Sequence, residues 1–205
     1  MEAQRNPDYA KRAATTSIDA GAVDNLRYIR STIEAARTFT AVPGKGCVAM
    51  GLVALVAAGL EAVPVLSSYW LAIWFSAAVV AGAIALAFME VKARKQGLSL
   101  RRAVARRFFM TLTPAFLAGA ILTAALAHSV GRDAISGIWL LLYGAGVAAC
   151  GVFSIPAVLT AGFAFMAAGT LALLLPPGAA PAVLAAGFGG IHLLLGAVII
   201  RNHGG

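Results

Sequence analysis

Six residues place reactive side chains in or beside long apolar runs: Glu61, His128, Arg132, Asp133, Tyr143 and His192. Ionisable groups held in a bilayer are costly, so they are the first candidates for function. His192 stands near the middle of the last apolar run, where an imidazole would serve as a proton relay, a pH sensor or a ligand. The plain alternative is a neutral ring hydrogen-bonded to a neighbouring helix, with Tyr143 or a threonine hydroxyl as its partner. Glu61, His128, Arg132 and Asp133 all fall near the ends of apolar runs. Together they would form a polar mouth, with Glu61 paired to Arg132 or His128. A carboxylate beside a histidine is also the minimum for acid–base chemistry, and an ordinary water-exposed rim uses the same residue types. An enzyme needs a convergent acid, base and nucleophile or metal. Only this rim supplies part of that set, so a non-enzymatic protein is expected. Cys47 and Cys150 make neither a metal spacing nor a disulfide framework. His192 has no second histidine at metal or haem spacing, and no metal or other cofactor is expected.

Two glycine patterns approximate a dinucleotide-binding fingerprint, Gly44-Lys-Gly46-Cys-Val-Ala49 and Gly144-Ala-Gly146-Val-Ala-Ala149. That fingerprint works only after a strand in a soluble βαβ unit. Here the first opens an apolar run and the second lies inside one, which makes both packing glycines.

The elements that must position these residues follow from composition. Of 205 residues 60% are hydrophobic and 12% charged, and the mean hydropathy is +0.86. A soluble domain carries about twice that share of charge. Seven of the 16 Lys and Arg lie in residues 1–46, seven more in Lys92–Arg107, and only Arg132 and Arg201 elsewhere. Between these blocks run uncharged stretches long enough for a bilayer core, which needs about 20 residues. The net charge of +8 therefore reads as topology, because Lys and Arg gather on the cytoplasmic side. It does not read as a nucleic-acid surface, since no aromatic residues are interleaved with the basic run.

Six spans are expected, at about residues 47–65, 69–90, 107–128, 134–153, 156–175 and 182–200, within the ±2–4 residues such boundaries carry. The strongly basic second connector, Lys92–Arg107, belongs in the cytoplasm, and an even number of spans then puts both termini there. The first span follows a long charged tail and is expected to act as an uncleaved anchor. Tyr69, Trp70 and Trp139 fall near the outer ends, where amphipathic rings settle. Ser154 and Pro156 look like the N-cap and first residue of the fifth span. Pro114, within Thr111-Leu-Thr-Pro, is expected to kink the third, with nearby hydroxyls meeting the carbonyl it frees. The fold class is thus an all-α polytopic bundle of three antiparallel hairpins. Ala72-Ile73-Trp74 and Gly137-Ile138-Trp139 match in depth, and Gly190-Ile191-His192 sits several residues deeper.

Ahead of the first span, Leu26, Ile29, Ile33 and Ala36 recur at helical spacing from a plausible N-cap at Asp24, with Arg27, Arg30, Glu34 and Arg37 on the other faces. This predicts an amphipathic helix on the inner leaflet, or against the underside of the bundle, stopped by Pro43-Gly44. The division expected is a cytoplasmic segment over residues 1–46 and a membrane domain over 47–205.

The run Arg30–Gly46, RSTIEAARTFTAVPGKG, resembles a segment of bacterial multi-pass membrane proteins in which an SFTAVPG-type turn joins a short amphipathic helix to the first span. The glycine-spaced hairpins, such as Gly162–Val198 with its central proline pair, are similar in style to six-span acid-resistance membrane proteins of the HdeD type. The first resemblance implies a bacterial inner membrane and carries no activity. The long basic connector and the N-terminal extension depart from the second. The function expected is a non-enzymatic interaction or sensory module. Its partners would be the bilayer, anionic lipids at Lys92–Arg107, and a second copy or a membrane protein. The alternative is a transporter or channel for protons or a small solute, running past Glu61, Tyr143 and His192.

Overall fold

A computed structural model describes residues 39–95, 97 and 103–203, together with Val23, Asn25, Leu26, Tyr28 and Ile29. The chain divides into two units, Met1–Thr38 and Phe39–Gly205. In the first unit the five described residues are helical; Asn25, Leu26, Tyr28 and Ile29 fall where the amphipathic helix is expected, and Val23 precedes its expected N-cap. Asp24, Arg27, Arg30, Ile33, Glu34, Ala36 and Arg37 lie outside the described residues.

The second unit holds six helical segments long and apolar enough to cross a membrane, and regular structure among its described residues is helical. They are α1 (Gly44–Glu61), α2 (Trp70–Lys95), α3 (Ala103–Leu126), α4 (Arg132–Gly151), α5 (Pro156–Leu174) and a sixth span in three parts. The sixth runs as α6 (Ala180–Leu184), a π-helical turn (Ala185–Ile191) and α7 (His192–His203). This is the polytopic all-α class the hydropathy pattern implies, with each span within a few residues of its expected place.

The most extensive packing is between α4 and α5. In lipid, apolar side chains gain little by leaving hydrocarbon for one another, so small residues that admit close backbone contact do most to hold helices together. A Cβ added to Gly144 would stand 2.7 Å from both Gly162 O and Met166 N, and one on Gly169 would stand 2.7 Å from Leu141 N. The same device joins α1 to α7, where a Cβ on Gly196 would meet Gly44 O at 2.7 Å. α3 packs on α4. α2 packs on α1 and makes no extensive contact with α3.

Three local expectations change. The second connector is shorter than Lys92–Arg107, because α2 stays helical to Lys95 and α3 resumes at Ala103. Ser154 does not cap α5. Its hydroxyl donates to Phe39 O at 2.8 Å, while Ile155 takes the N-cap position and Pro156 opens the helix. The hydroxyls near Pro114 do not meet the carbonyl it frees, Met110 O, along a helix that stays continuous through the proline. Thr111 and Thr113 donate instead to Arg107 O and Phe109 O, both at 2.8 Å.

The segment Phe39–Pro43 joins the membrane unit. Phe39, Ala41 and Val42 are buried, Phe39 N donates to Phe153 O at 2.6 Å, and the Phe39 ring lies 4.8 Å from that of Phe108. Residues 39–46 therefore belong with the spans, and the division falls between Thr38 and Phe39.

Gly144→Ala should lower stability by about 1–3 kcal/mol, since the new methyl meets backbone that cannot yield. At Gly59 a Cβ would meet nothing within 4 Å, so Gly59→Ala should leave stability unchanged or slightly raised. Unfolding of both variants in one detergent checks the contrast.

Candidate functional site

Glu61 ends α1 and Arg132 begins α4, so both stand where spans meet the loops of one end of the bundle. Arg132 Nη1 donates to Glu61 Oε1 at 3.0 Å, and Trp74 Nε1 donates to Glu61 Oε2 at 2.8 Å. Both carboxylate oxygens are thus occupied, by side chains from two different helices. The guanidinium also lies over the Trp70 ring, 5.7 Å from its centroid, and extends toward Ser67 O. The Glu61 side chain is 1% exposed against 36% for Arg132, so the anion is the buried partner.

Asp133 does not join them. It accepts Gly178 N at 3.1 Å and Ala180 N at 2.8 Å, capping the start of the sixth span from α4. His128 is exposed and no hydrogen bond joins it to Glu61. The expected four-residue mouth is therefore an ion pair, a cap and a surface histidine, because each acid already has donors from a neighbouring helix.

Tyr143 and His192 meet near the middle of the bundle. The phenol oxygen lies 2.7 Å from His192 Nε2, and His192 Nδ1 lies 2.7 Å from Phe188 O. A carbonyl only accepts, so Nδ1 carries a proton, and in the neutral ring Nε2 then accepts from Tyr143. The imidazole is 5% exposed and walled by Phe165 at 4.9 Å and Phe188 at 6.4 Å between centroids. Phe188 belongs to the π turn, whose wider winding disturbs the regular backbone ladder and occurs often at functional sites.

A cavity of about 370 Å³ lies between α2 and the rest of the bundle, and Tyr143 and His192 form part of its wall. Its lining is almost wholly apolar. Ser136 also lines it, and its buried hydroxyl has no partner among the described residues. Among those residues no three His, Cys, Asp or Glu side chains gather as metal ligands. Cys47 and Cys150 are free and buried, and Cys150 Sγ donates to Phe108 O at 3.1 Å.

Several groups escape the sequence reading. Lys92 heads the basic run, yet it is 8% exposed and its Nζ donates to Val42 O at 3.0 Å, so it grips the turn before α1 and does not face lipid headgroups. The signal was its spacing, since Met89, Lys92 and Ala93 form one inward stripe. The two matched tryptophans do parallel work: Trp139 Nε1 donates to Thr123 Oγ1 at 2.8 Å, as Trp74 does to Glu61. The π turn was signalled only by Gly187, Gly189 and Gly190 close together.

No protein-family model, curated protein or solved structure matches the chain.

Arg132→Gln strands a buried carboxylate, whereas Glu61→Gln leaves a cation that can reach water. The first should destabilise by about 2 kcal/mol or more and the second by less. Ser136→Ala removes an unmet hydroxyl and should be neutral or stabilising. Thermal unfolding in detergent ranks the three.

Proposed function

We propose that this protein is a non-enzymatic interaction or sensory module of a bacterial inner membrane. On this reading three helix hairpins cross the bilayer, an amphipathic helix ahead of the first span rests on the inner leaflet, and both termini are cytoplasmic. Contacts with a partner protein or a second copy run through small-residue helix faces and the basic end of the bundle.

One observation carries it: Glu61, Asp133, Tyr143 and His192 each spend polar atoms on another part of the bundle, and Ser136 alone of the buried side-chain oxygens and nitrogens lining the cavity has no partner among the described residues. Glu61 binds Arg132 and Trp74, Tyr143 binds His192, and Asp133 caps the sixth span. The cavity left beside them is walled almost wholly by hydrocarbon, whereas a solute path needs a run of polar groups turned toward a lumen. Orientation draws support from charge, since Lys45, Arg94, Lys95, Arg106 and Arg107 all stand at the end of the bundle where Lys92 reaches Val42.

The transporter reading draws on a different fact, that the cavity reaches Tyr143 and His192. The two readings separate in proteoliposomes. The module reading expects no pH-driven or small-solute flux from the wild type, with crosslinking in native membranes capturing a partner or a second copy. A flux abolished by His192→Leu in a folded protein reverses the ranking, and a strictly monomeric species without partners removes the module. A cysteine in place of Arg94, which is exposed and paired only locally with Glu90, should be labelled by an impermeant maleimide from the cytoplasmic side alone.

A further inference from the structure

We infer that the cavity beside α2 holds one acyl chain of an anionic phospholipid, whose headgroup rests at the basic end of the bundle. The inference deepens the module reading, because it names what the apolar interior would sense, and it rests on that reading only for its biological meaning.

The cavity is a slot. Residues of α2 line it from Trp70 to Met89, a run of roughly 28 Å at 1.5 Å per residue and so close to the thickness of a hydrocarbon core. Toward the Glu61 end the slot is bridged by rings: Phe75 stands 5.7 Å from Trp139, and Trp74 6.0 Å from Phe188. Farther along, α2 presents Ala77, Ala78, Ala81, Gly82 and Ala85, facing Phe108, Phe109, Leu112 and Phe116 across the gap. Small side chains on one wall and the lack of extensive contact between α2 and α3 leave the slot open sideways to lipid. A flexible hydrocarbon chain fits such a space, and every methylene sheltered there meets apolar atoms.

Charge selects the lipid. At the basic end the slot is lined by Pro43, Met89 and Phe108. Arg107 adjoins Phe108, Arg106 precedes it, and Lys45 stands two residues beyond Pro43; all three are exposed. The acid nearest in sequence to Met89 is Glu90, already bound to Arg94 at 2.7 Å. A phosphate held here satisfies the basic end while its chain enters the slot, which a soluble anion does not do. Lys92 takes no part, since its ammonium is turned inward to Val42 O.

The protein supplies its own reporter, because its three tryptophans, Trp70, Trp74 and Trp139, all line the slot. Full-length protein is reconstituted in phosphatidylcholine vesicles containing a minor fraction of chain-brominated phosphatidylglycerol, or of chain-brominated phosphatidylcholine with the same chains. Two guanidiniums at the mouth set an expected preference on the order of tenfold for the anionic lipid, read as stronger quenching. Arg106→Gln with Arg107→Gln and Lys45→Gln should abolish that preference and leave quenching by brominated phosphatidylcholine unchanged. Ala81→Phe should abolish the excess quenching by filling the slot. Gly82→Leu is the second plug, because a Cβ there meets nothing within 4 Å and folding is not strained. Equal quenching by both lipids in the wild type overturns the inference. So does a preference that survives both plugs, which would mean headgroup binding at the surface without entry of a chain. Flux measurements do not enter this test, so its failure leaves the module reading standing, and detection of a flux leaves the lipid site standing.

Discussion

Two helices in a bilayer are already surrounded by hydrocarbon, so what decides whether they stay together is how closely their backbones approach. In this protein that constraint is met most fully along the seam of α4 and α5, where glycines on both helices let main-chain atoms touch. The rest of the bundle is arranged around the seam. α3 leans on α4, and the sixth span lies against α5 and α1. α2 stands farthest from the seam and touches chiefly α1. Its inward face combines bulky rings at one end with alanines toward the other, and alanines without a glycine seam opposite leave space. The slot is thus the remainder of a packing scheme that is tight on one side only.

Polar residues do a second kind of work. A carboxylate or imidazole cut off from water needs its partners within the protein, and each one found here ties elements distant in sequence. Glu61 joins α1 to α2 and α4, Tyr143 and His192 join α4 to the sixth span, and Asp133 secures the loop before it. Lys92 and Ser154 pin the Phe39–Val42 turn beneath the helices from two sides. Residues 39–43 accordingly plug that end of the bundle, which gives a physical reason for the apolar Phe39 and Val42.

Much of this was legible beforehand. Six apolar stretches flanked by clustered arginine and lysine announce the spans, since length and charge are read directly from residue types. The Glu61–Arg132 pair and the Tyr143–His192 pair were among the partnerships open to those residues, because few polar groups exist inside the spans to meet. Which helices lie side by side was not legible. Glycines occur on most of the spans, and only three-dimensional register shows that Gly144 faces Gly162 while Gly59 faces nothing. Lys92 was hidden by its neighbours: in a basic run one inward residue looks like the others unless its phase with Met89 and Ala93 is followed. The slot was illegible for a similar reason, as a void has no sequence of its own.

The π turn before His192 also sets the azimuth of everything after it. One residue beyond regular α winding turns the following helix by about 100° relative to an uninterrupted rod. Gly196 meets Gly44 because that offset has been introduced upstream. Were the turn to relax to ordinary α geometry, Gly196 would swing away from α1 and a bulkier neighbour would take its place. The hydrogen bond from the imidazole to Phe188 O therefore acts as a latch on helix phase, fixing which stripe of the last span the first span sees.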